Sequence, residues 1–279
     1  MNIKLEKLQV ADTLYGKMIF PENDAVLGKS LPLYGEWSEG ENIVMSQFIE
    51  PGDTVLDIGA NIGTTVMSFS KRVGATGKVY AFEPQQLMSQ CLNANLVLNN
   101  IKNVDVFSLA VSSETGWVLI NDQEHSAAGR YGSVGIAIDG TPAQAIHLNE
   151  FPINKCSFVK IDVEGHEWNI VQGGTKFLTR HQPVVYLEAK KELEGTEKYL
   201  TWFMDNGWVC YWHFAFWYRE NNRNKVSDNI FGGTGDMNVV AVPEASAPLV
   251  NLLRIKSPQD KWDSKTYFDF YKKNDIPIV

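Results

Sequence analysis

The chain has 279 residues, 44% of them hydrophobic, which suits one large α/β domain with additions, because single cores stop growing near about 250–300 residues. Its net charge of −8 argues against nucleic acid as a bulk partner, because phosphate binding needs a basic face. Three widely spaced cysteines predict buried thiols in a reducing compartment, and not a disulfide framework or a zinc site. No signal core and no run of about 18–20 apolar residues is found, so we expect a cytoplasmic protein without a membrane span.

Residues 1–45 are expected to form an extension ahead of the main domain. Two alternating runs, Lys4–Val10 and Tyr15–Phe20, favour a hairpin with a turn at residues 11–13, and Gly28 and Pro32 then indicate a loop. The loop ends in a cluster of aromatic and acidic residues: Tyr34, Glu36, Trp37, Glu39 and Glu41. The cluster is either a lid that brings Glu36 to a cofactor, or a solvated acidic loop with one anchoring aromatic residue.

Residues 51–63 contain the strongest local signal in the sequence. A short apolar run that includes Asp57 meets Gly59 and Gly63, and apolar residues at helical spacing follow. This pattern predicts a strand, a tight glycine turn and a helix. Asp57 would then lie at the carboxyl end of the strand, where open α/β sheets bind their ligands.

A second carboxylate, Glu83, ends the next predicted strand, about 20 residues after the glycine turn. A carboxylate at this position accepts hydrogen bonds from the ribose hydroxyls of a nucleoside cofactor. The Gly-x-x-x-Gly spacing differs from that of pyrophosphate-binding dehydrogenases, which disfavours an NAD-dependent oxidoreductase. Asp57 can instead meet an ammonium group, which favours S-adenosylmethionine (SAM). The structural alternatives are that Asp57 and Glu83 only cap helices, Glu83 the one that begins near Pro84.

The rest of the chain predicts a Rossmann-like α/β fold with a mostly parallel, seven-stranded sheet. We expect the main domain to span residues 46–243, with a β insertion at about 116–150 and a helical tail over 244–279. The insertion would pair Trp117–Ile120 with Val134–Ile138. Further strands are predicted at Val104–Leu109, Cys156–Val163, Pro183–Glu188, Trp208–Phe216 and Met237–Val242, with helices at Gln85–Leu98 and Thr196–Asn206.

Four motifs in this order resemble the FkbM family of SAM-dependent methyltransferases over roughly residues 34–242. They are the Asp57-Ile-Gly59-Ala-Asn61-Ile-Gly63 turn, Phe82-Glu83-Pro84, Lys160-Ile-Asp162-Val-Glu164-Gly-His166-Glu167 and Leu187-Glu188. The resemblance implies a class I methyltransferase fold and methylation of hydroxyl oxygens of carbohydrates or other small molecules. A SAM-binding module without turnover, acting as a regulator or partner, is the alternative.

The resemblance also implies roles for individual residues. Asp57, Gly59, Asn61 and Gly63 would surround the methionine part of SAM, Glu83 with Pro84 would hold the ribose, and Ala110 and Val111 would flank adenine. Asp162, at the tip of its strand, would face both SAM and the acceptor.

Methyl transfer to oxygen needs an in-line approach and a group that removes the hydroxyl proton. The candidates for this general base are Asp162, Glu164, His166 and His213. Glu164 is preferred because it lies on the predicted strand-to-helix turn, although an acidic helix cap would look the same. His166 has the right neutral-pH chemistry but could equally point to solvent.

A metal site is also conceivable, because some small-molecule O-methyltransferases hold Mg²⁺ with carboxylates after two neighbouring strands. Asp162 and Glu188 could serve, but Ala189 and Lys190 stand where a third ligand is expected, so Mg²⁺ is possible and not favoured. The aromatic-dense run from Trp208 is expected to pack mainly into the core, with the remaining rings free to stack on an acceptor.

Overall fold

The computed structural model describes residues 7–120, 135–136, 139–189, 194–246 and 251–274, where strands and helices alternate through the middle of the chain. The strands are β1 (Leu8–Thr13), β2 (Gly16–Pro21), β3 (Thr54–Ile58), β4 (Lys78–Phe82), β5 (Val104–Phe107), β6 (Ala110–Val111), β7 (Gly116–Ile120), β8 (Thr141–Ile146), β9 (Phe158–Ile161), β10 (Val184–Glu188), β11 (Trp208–Phe216), β12 (Gly235–Pro243) and β13 (Leu253–Arg254). The helices are α1 (Leu27–Tyr34), α2 (Glu39–Met45), α3 (Thr64–Val73), α4 (Gln86–Leu98), α5 (Glu167–Gly173), α6 (Thr175–His181), α7 (Glu194–Asp205) and α8 (Ser264–Lys273).

The central sheet has eight strands in the order β13-β11-β12-β10-β9-β3-β4-β5. The run from β10 to β5 is parallel, whereas β12 lies antiparallel between β10 and β11. All seven predicted strands are present, so the Rossmann-like, mostly parallel sheet is confirmed. The two-residue β13 is an eighth strand that the sequence did not predict; it pairs antiparallel with β11.

The sheet separates two hydrophobic cores, because successive side chains of a strand point to opposite faces. On one face, Leu56 and Ile58 pack with side chains of α5 to α8. On the other face, Val55 packs with side chains of α1 to α4. Asp57 and Lys160 stand opposite each other in register and, by the same alternation, belong to this second face. Two charged groups are therefore built into the sheet below its carboxyl edge.

Two asparagines one helical turn apart attach the N-terminal hairpin to α4. Asn95 accepts a hydrogen bond from the Ile19 N–H at 2.6 Å and donates one to the Ile19 carbonyl at 3.1 Å. Asn99 does the same with Lys17, at 2.9 and 2.7 Å. The match works because four helical residues rise about 6 Å and two strand residues about 6.7 Å. The two side chains thus replace a neighbouring strand along the edge of β2.

The N-terminal extension differs from the prediction in two details. The hairpin turn lies at residues 14–15, since Thr13 pairs with Gly16, and not at residues 11–13. Helix α1 occupies the stretch where Gly28 and Pro32 indicated a loop. The missed signal is a buried stripe at helical spacing: Leu27, Leu31 and Tyr34.

The insertion and the C-terminal tail also need correction. The partner of β7 is β8, which in turn pairs with β6 in a separate three-stranded sheet. Of the predicted partner Val134–Ile138, only residues 135 and 136 are described, and Ile136 makes one isolated bridge to Ile120. The tail is not wholly helical, because β13 joins the sheet before α8 begins. Residues 247–250 and 275–279 of the predicted tail lie outside the described residues.

All three cysteines, Cys91, Cys156 and Cys210, are buried free thiols, as predicted. Within the described ranges, none of the helices has the length and apolar character needed to cross a membrane.

Candidate active site

A cleft of about 290 Å³ opens at the carboxyl edge of β3, β4, β9 and β10, and the start of β12 completes its wall. Ligands of open α/β sheets bind at this edge, because the turns that follow parallel strands present backbone and side-chain polar groups there. The N-terminal extension contributes Trp37 and Glu41 to the lining of the cleft.

The turn between β3 and α3 has a backbone that only glycine allows at two points. Gly59 has φ +85°, and a Cβ there would lie 1.8 Å from the Asp162 carbonyl oxygen. Gly63 has φ +93°, and a Cβ there would lie 2.3 Å from Leu92. Gly59 and Asn61 line the cleft, and Gly63 does not. The glycines therefore let strand β9 and helix α4 approach the turn, a reason that sequence spacing alone did not give.

Glu83 follows β4 and is held by the backbone on both sides. Its two carboxylate oxygens accept N–H bonds from Asn61 and Gln85, each at 2.8 Å, while the residue is 3% exposed and lines the cleft. Burial raises the pKa of Glu83 to about 7, against the lowering effect of the two N–H bonds. A carboxylate has about four lone-pair sites, so two remain for a ligand's hydroxyl groups. This arrangement fits the ribose of SAM.

The other residues expected around the nucleoside lie in the same end of the cleft. Pro84 follows Glu83, and Ala110 and Val111 form β6; all three line the cleft. Phe82 and Ile120 add apolar surface beside them, which suits an adenine ring.

Asp57 is placed differently from the expectation. It is fully buried and is not among the residues that line the cleft. Its carboxylate lies 3.8 Å from the Lys160 ammonium and otherwise has no hydrogen-bond partner. Burial raises the pKa of Asp57 to about 6, partly offset by Lys160. Direct contact between Asp57 and a ligand's ammonium group is therefore not a feature of this structure.

Lys160 links Asp57 below the cleft to Asp162 in its wall. Its ammonium lies 2.9 Å from Asp162, and the side chain is 4% exposed. Burial lowers the pKa of Lys160, but Asp162, Asp57 and Glu41 together raise it above its ordinary value. Lys160 therefore stays charged and fixes the direction of the Asp162 carboxylate.

The turn after β9 brings Glu164 and His166 to the cleft. Glu164 has φ +57°, a left-handed conformation that is uncommon for a residue with a Cβ. His166 shares a 2.9 Å hydrogen bond with the Ser112 hydroxyl, and burial lowers the pKa of its imidazole to about 4. His166 is therefore neutral at pH 7. The acidic residue in the first turn of α5 is Glu167, and its carboxylate accepts the Gly165 N–H of the preceding turn at 3.0 Å.

Asp162, Glu164 and Glu188 each bring a carboxylate oxygen within 4.8 Å of the others. The sequence suggested Asp162 and Glu188 for Mg²⁺ and expected any third ligand after Glu188; the third carboxylate is in fact Glu164. Burial, then Asp162, raises the pKa of Glu188 to about 10. Three oxygen donors are compatible with Mg²⁺, which accepts carboxylates and keeps several waters.

Two expected residues lie outside the cleft. The Glu36 carboxylate is taken by the Arg219 guanidinium, with two contacts of 3.1 Å, and by the Arg223 N–H at 2.8 Å. Its assignment to the cofactor is therefore corrected: Glu36 ties the N-terminal extension to the connection between β11 and β12. His213 is 1% exposed, is bonded to the Tyr186 hydroxyl at 2.8 Å and is not among the residues that line the cleft, so it is no candidate base.

Sequence reasoning missed part of the cleft wall. Asp236 and Asn238, which come from β12, were not singled out. Trp217, which follows β11 and lines the cleft, belongs to the aromatic-dense run from Trp208, some of whose rings were expected to be free for an acceptor. Glu41 was noticed only as a member of the acidic cluster, yet it lines the cleft and accepts a hydrogen bond from Asn238 at 3.1 Å. A signal was present in Asp236, a charged residue at the start of an otherwise apolar strand, although strand patterning does not reveal which edge it faces.

A model of the methyltransferase FkbM domain matches residues 57–212, more than half of the chain. The chain belongs to the FkbM methyltransferase family. The match includes the β3–α3 turn, Glu83 and the Asp162-to-His166 turn, and it ends before Trp217 and Asp236.

Several solved structures resemble this member of the FkbM family. Methyltransferase FkbM from Methylobacillus flagellatus KT is 12% identical with a TM-score of 0.46, over 72% of this chain and 50% of that chain. A SAM-dependent O-methyltransferase from Thermotoga maritima is 13% identical with a TM-score of 0.44, over 74% of this chain and 64% of that chain. An rRNA methylase from Streptococcus thermophilus is 11% identical with a TM-score of 0.42, over 73% of this chain and 93% of that chain.

This chain thus spans half the length of the Methylobacillus protein. No curated protein matches its sequence.

Proposed function

We propose that this FkbM-family protein is a SAM-dependent O-methyltransferase that methylates a hydroxyl group of a carbohydrate or another small molecule. The observation that supports it best is Glu83, whose carboxylate is fixed by two backbone N–H groups and still has acceptor sites turned to the cleft. Such a group accepts hydrogen bonds from a ribose, and it lies in the family-matched part of the chain.

SAM, when bound, supplies an activated methyl group on a sulfonium. We assign its ribose to Glu83, its adenine to the apolar surface at Ala110 and Val111, and its methionine part to the turn at Gly59 and Asn61. Asp57 acts in this proposal through Lys160, as a buried counter-charge, and not by touching the cofactor.

The remaining chemical task of the protein is to receive the acceptor's hydroxyl proton. We assign this role to Glu164, which lines the cleft and has a carboxylate oxygen within 4.8 Å of one of Asp162. Asp162 is engaged by Lys160 and orients the acceptor, and His166, with its pKa lowered to about 4, is a poor base at neutral pH. A divalent ion at Asp162, Glu164 and Glu188 is not required for this assignment.

A small molecule suits the acceptor side better than nucleic acid. The chain carries a net charge of −8, and five carboxylates line the acceptor side of the cleft: Glu41, Asp162, Glu164, Glu188 and Asp236. A phosphate backbone would be repelled there, because nucleic-acid sites rely on Lys and Arg. We also propose that residues 1–45 act as a lid over the domain of residues 46–243, since Trp37 and Glu41 line the cleft.

Calorimetric titration with SAM, its demethylated product SAH, and NAD⁺ tests the cofactor. We expect SAM and SAH to bind at one site and NAD⁺ not to bind; binding of NAD⁺ alone would overturn the proposal. A methyl-release assay with a panel of sugars and small alcohols then tests turnover. SAM binding without release on any acceptor would favour the regulatory SAM-binding module instead.

A further inference from the structure

The half of the cleft beyond Asp162 is strongly acidic. Asp162, Glu164 and Glu188 have carboxylate oxygens within 4.8 Å of one another. Asp236 and Glu41 extend this group, and Asn238 bridges them, donating to Glu41 at 3.1 Å and to the Asp236 carbonyl at 3.3 Å. Among the described residues that line the cleft, Lys160 is the one lysine or arginine. This surface therefore favours a cationic ligand.

Two tryptophans stand in the same part of the cleft. Trp37 and Trp217 both line it, with ring centroids 5.2 Å apart, and the Trp217 indole N–H donates to Asp236 at 2.6 Å. Indole faces attract ammonium groups but offer no donor atom to a divalent metal ion. Tryptophan faces next to carboxylates therefore favour an organic cation over a metal ion.

Two buried oxygen atoms on the lid are unused. Ser38 is 4% exposed and Asn42 is 3% exposed, both line the cleft, and neither the Ser38 hydroxyl nor the Asn42 carbonyl oxygen has a hydrogen-bond partner. The Asn42 amide nitrogen donates to Glu39 at 3.1 Å, which leaves its carbonyl oxygen as the unpaired atom. A buried polar atom without a partner costs free energy unless a ligand supplies one. The unpaired Asn42 carbonyl oxygen can only accept a hydrogen bond, which favours a ligand that donates one.

These groups lie away from the place proposed for the nucleoside. The strand order β3-β9-β10-β12 puts Asp236 three strands from the Gly59 turn, and neighbouring strands are about 4.8 Å apart. The separation is thus about 14 Å, too far for the ammonium and sulfonium groups of one cofactor molecule to engage both ends. The acidic, tryptophan-lined end belongs to the acceptor.

We propose that the acceptor carries a protonated amine, as in an amino sugar or amino alcohol, and that Asp236, Glu41, Trp37 and Trp217 hold this ammonium group while the hydroxyl is presented to Glu164. The proposal rests on the methyl-transfer function proposed above and specifies its substrate class. Because the ammonium is bound apart from the reacting hydroxyl, it determines which acceptor is chosen without taking part in the chemistry.

Calorimetry with matched pairs of probes tests the inference. In each pair, N-acetylation removes the charge of the nitrogen and adds an acetyl group: glucosamine against N-acetylglucosamine, and ethanolamine against N-acetylethanolamine. The titrations use the full chain, with and without saturating SAH. We expect at least one amine to bind about tenfold more tightly than its acetylated partner, as a cation–π contact plus a nearby carboxylate allows.

Variants locate the preference. Asp236→Asn and Trp217→Leu should each reduce the amine preference to under about threefold, the loss of one such contact. Their matched controls are Glu244→Gln and Trp117→Leu, exposed residues outside the cleft, which should leave the preference intact. Asp236→Asn keeps the side-chain shape, so it remains informative if Trp217→Leu does not fold.

Two results would overturn the inference: equal binding of every amine and its acetylated partner, or a preference that survives Asp236→Asn. The proposed function is judged separately, by the SAM and SAH titrations. If the chain binds SAH but shows no amine preference, the inference about the acceptor is wrong and the proposed cofactor site stands.

Discussion

At the β3–β4 end of the cleft, Glu83 accepts two backbone N–H bonds, whereas at the β9–β12 end the carboxylates of Asp162, Glu164 and Glu188 face one another. Both groups are held by the turns that follow parallel strands. At the first end, the two backbone donors fix the carboxylate and offset part of the effect of burial, which still raises the pKa of Glu83 to about 7. The second end concentrates acidic groups, and burial together with Asp162 raises the pKa of Glu188 to about 10.

The difference shows that the two ends of one sheet edge can bind different parts of the ligands. A carboxylate held by backbone donors is fixed in position, and it can hold a neutral ribose with little rearrangement. An end with an excess of carboxylates is complete only with a ligand, so its chemistry indicates what that ligand must carry. We therefore expect substitutions at the two ends to affect different measurements.

The largest effect is expected at Glu164. Glu164→Gln should lower kcat by about 10²–10⁴-fold, the usual contribution of a general base, and leave SAM affinity within about twofold. Steady-state kinetics and calorimetry on the same preparation measure both quantities. Glu114→Gln, an exposed carboxylate away from the cleft, is the control. Unchanged turnover in Glu164→Gln would remove this residue as the base.

At the other end of the cleft, Glu83→Ala should weaken cofactor binding. Losing a carboxylate that accepts from two ribose hydroxyls should weaken SAM binding by about 10²–10⁴-fold, since hydrogen bonds to charged groups contribute about 1.5–3 kcal/mol each. Calorimetry measures this, with circular dichroism to show that the variant folds. If Glu83→Ala binds SAM as the parent does, the cofactor is held elsewhere.

The stability of the unliganded protein should fall as the pH rises from about 4.5 to about 7, in part because of Glu83. Burial raises the pKa of Glu83 from 4.5 to about 7, so the folded state holds its proton more tightly than the unfolded chain. The stability that Glu83 contributes is fully present below its pKa in the unfolded chain. It is lost as the pH rises through its pKa in the folded protein. Glu83→Gln should reduce the loss by about 1–3 kcal/mol.

Urea melts of parent and Glu83→Gln at pH 5 and pH 8 measure this loss. Asp57, whose pKa burial raises to about 6, contributes with the same sign and remains in both proteins. An identical pH dependence in the two would show that Glu83 is not the titrating group.

The smallest effect is expected at Glu36, which belongs to neither end. Glu36→Gln should reduce stability by about 1–2 kcal/mol, because it weakens a buried, two-point pair with Arg219, and SAM affinity should not change. Arg219→Met should cost a similar amount, and the double variant little more than either alone. A large loss of SAM affinity in Glu36→Gln with normal stability would restore the cofactor role that the sequence suggested.

The end of the cleft that we assign to the nucleoside was predictable because its parts are close in sequence. The β3–α3 turn and Glu83 lie about twenty residues apart, and the N–H groups that fix Glu83 belong to Asn61 and Gln85. The acceptor end was not predictable in the same way, since Glu41 and Asn238 are 197 positions apart and meet only through the sheet order. The sequence favoured Glu36 over Glu41 because the pattern of this stretch does not show which acidic side chain faces the cleft.

Asp57 illustrates a second limit. Spacing placed it correctly near the end of β3, but the alternation of a strand gives only the face of the sheet on which a side chain lies. Only the register of β3 with β9 shows that Asp57 faces Lys160.

The most direct test of this account is a crystal structure of the chain with SAH. The account predicts that both ribose hydroxyls lie within about 3 Å of the Glu83 carboxylate, with adenine beside Ala110 and Val111. SAH bound away from Glu83, or a cleft too narrow to admit its ribose, would contradict the assignment of this end to the nucleoside.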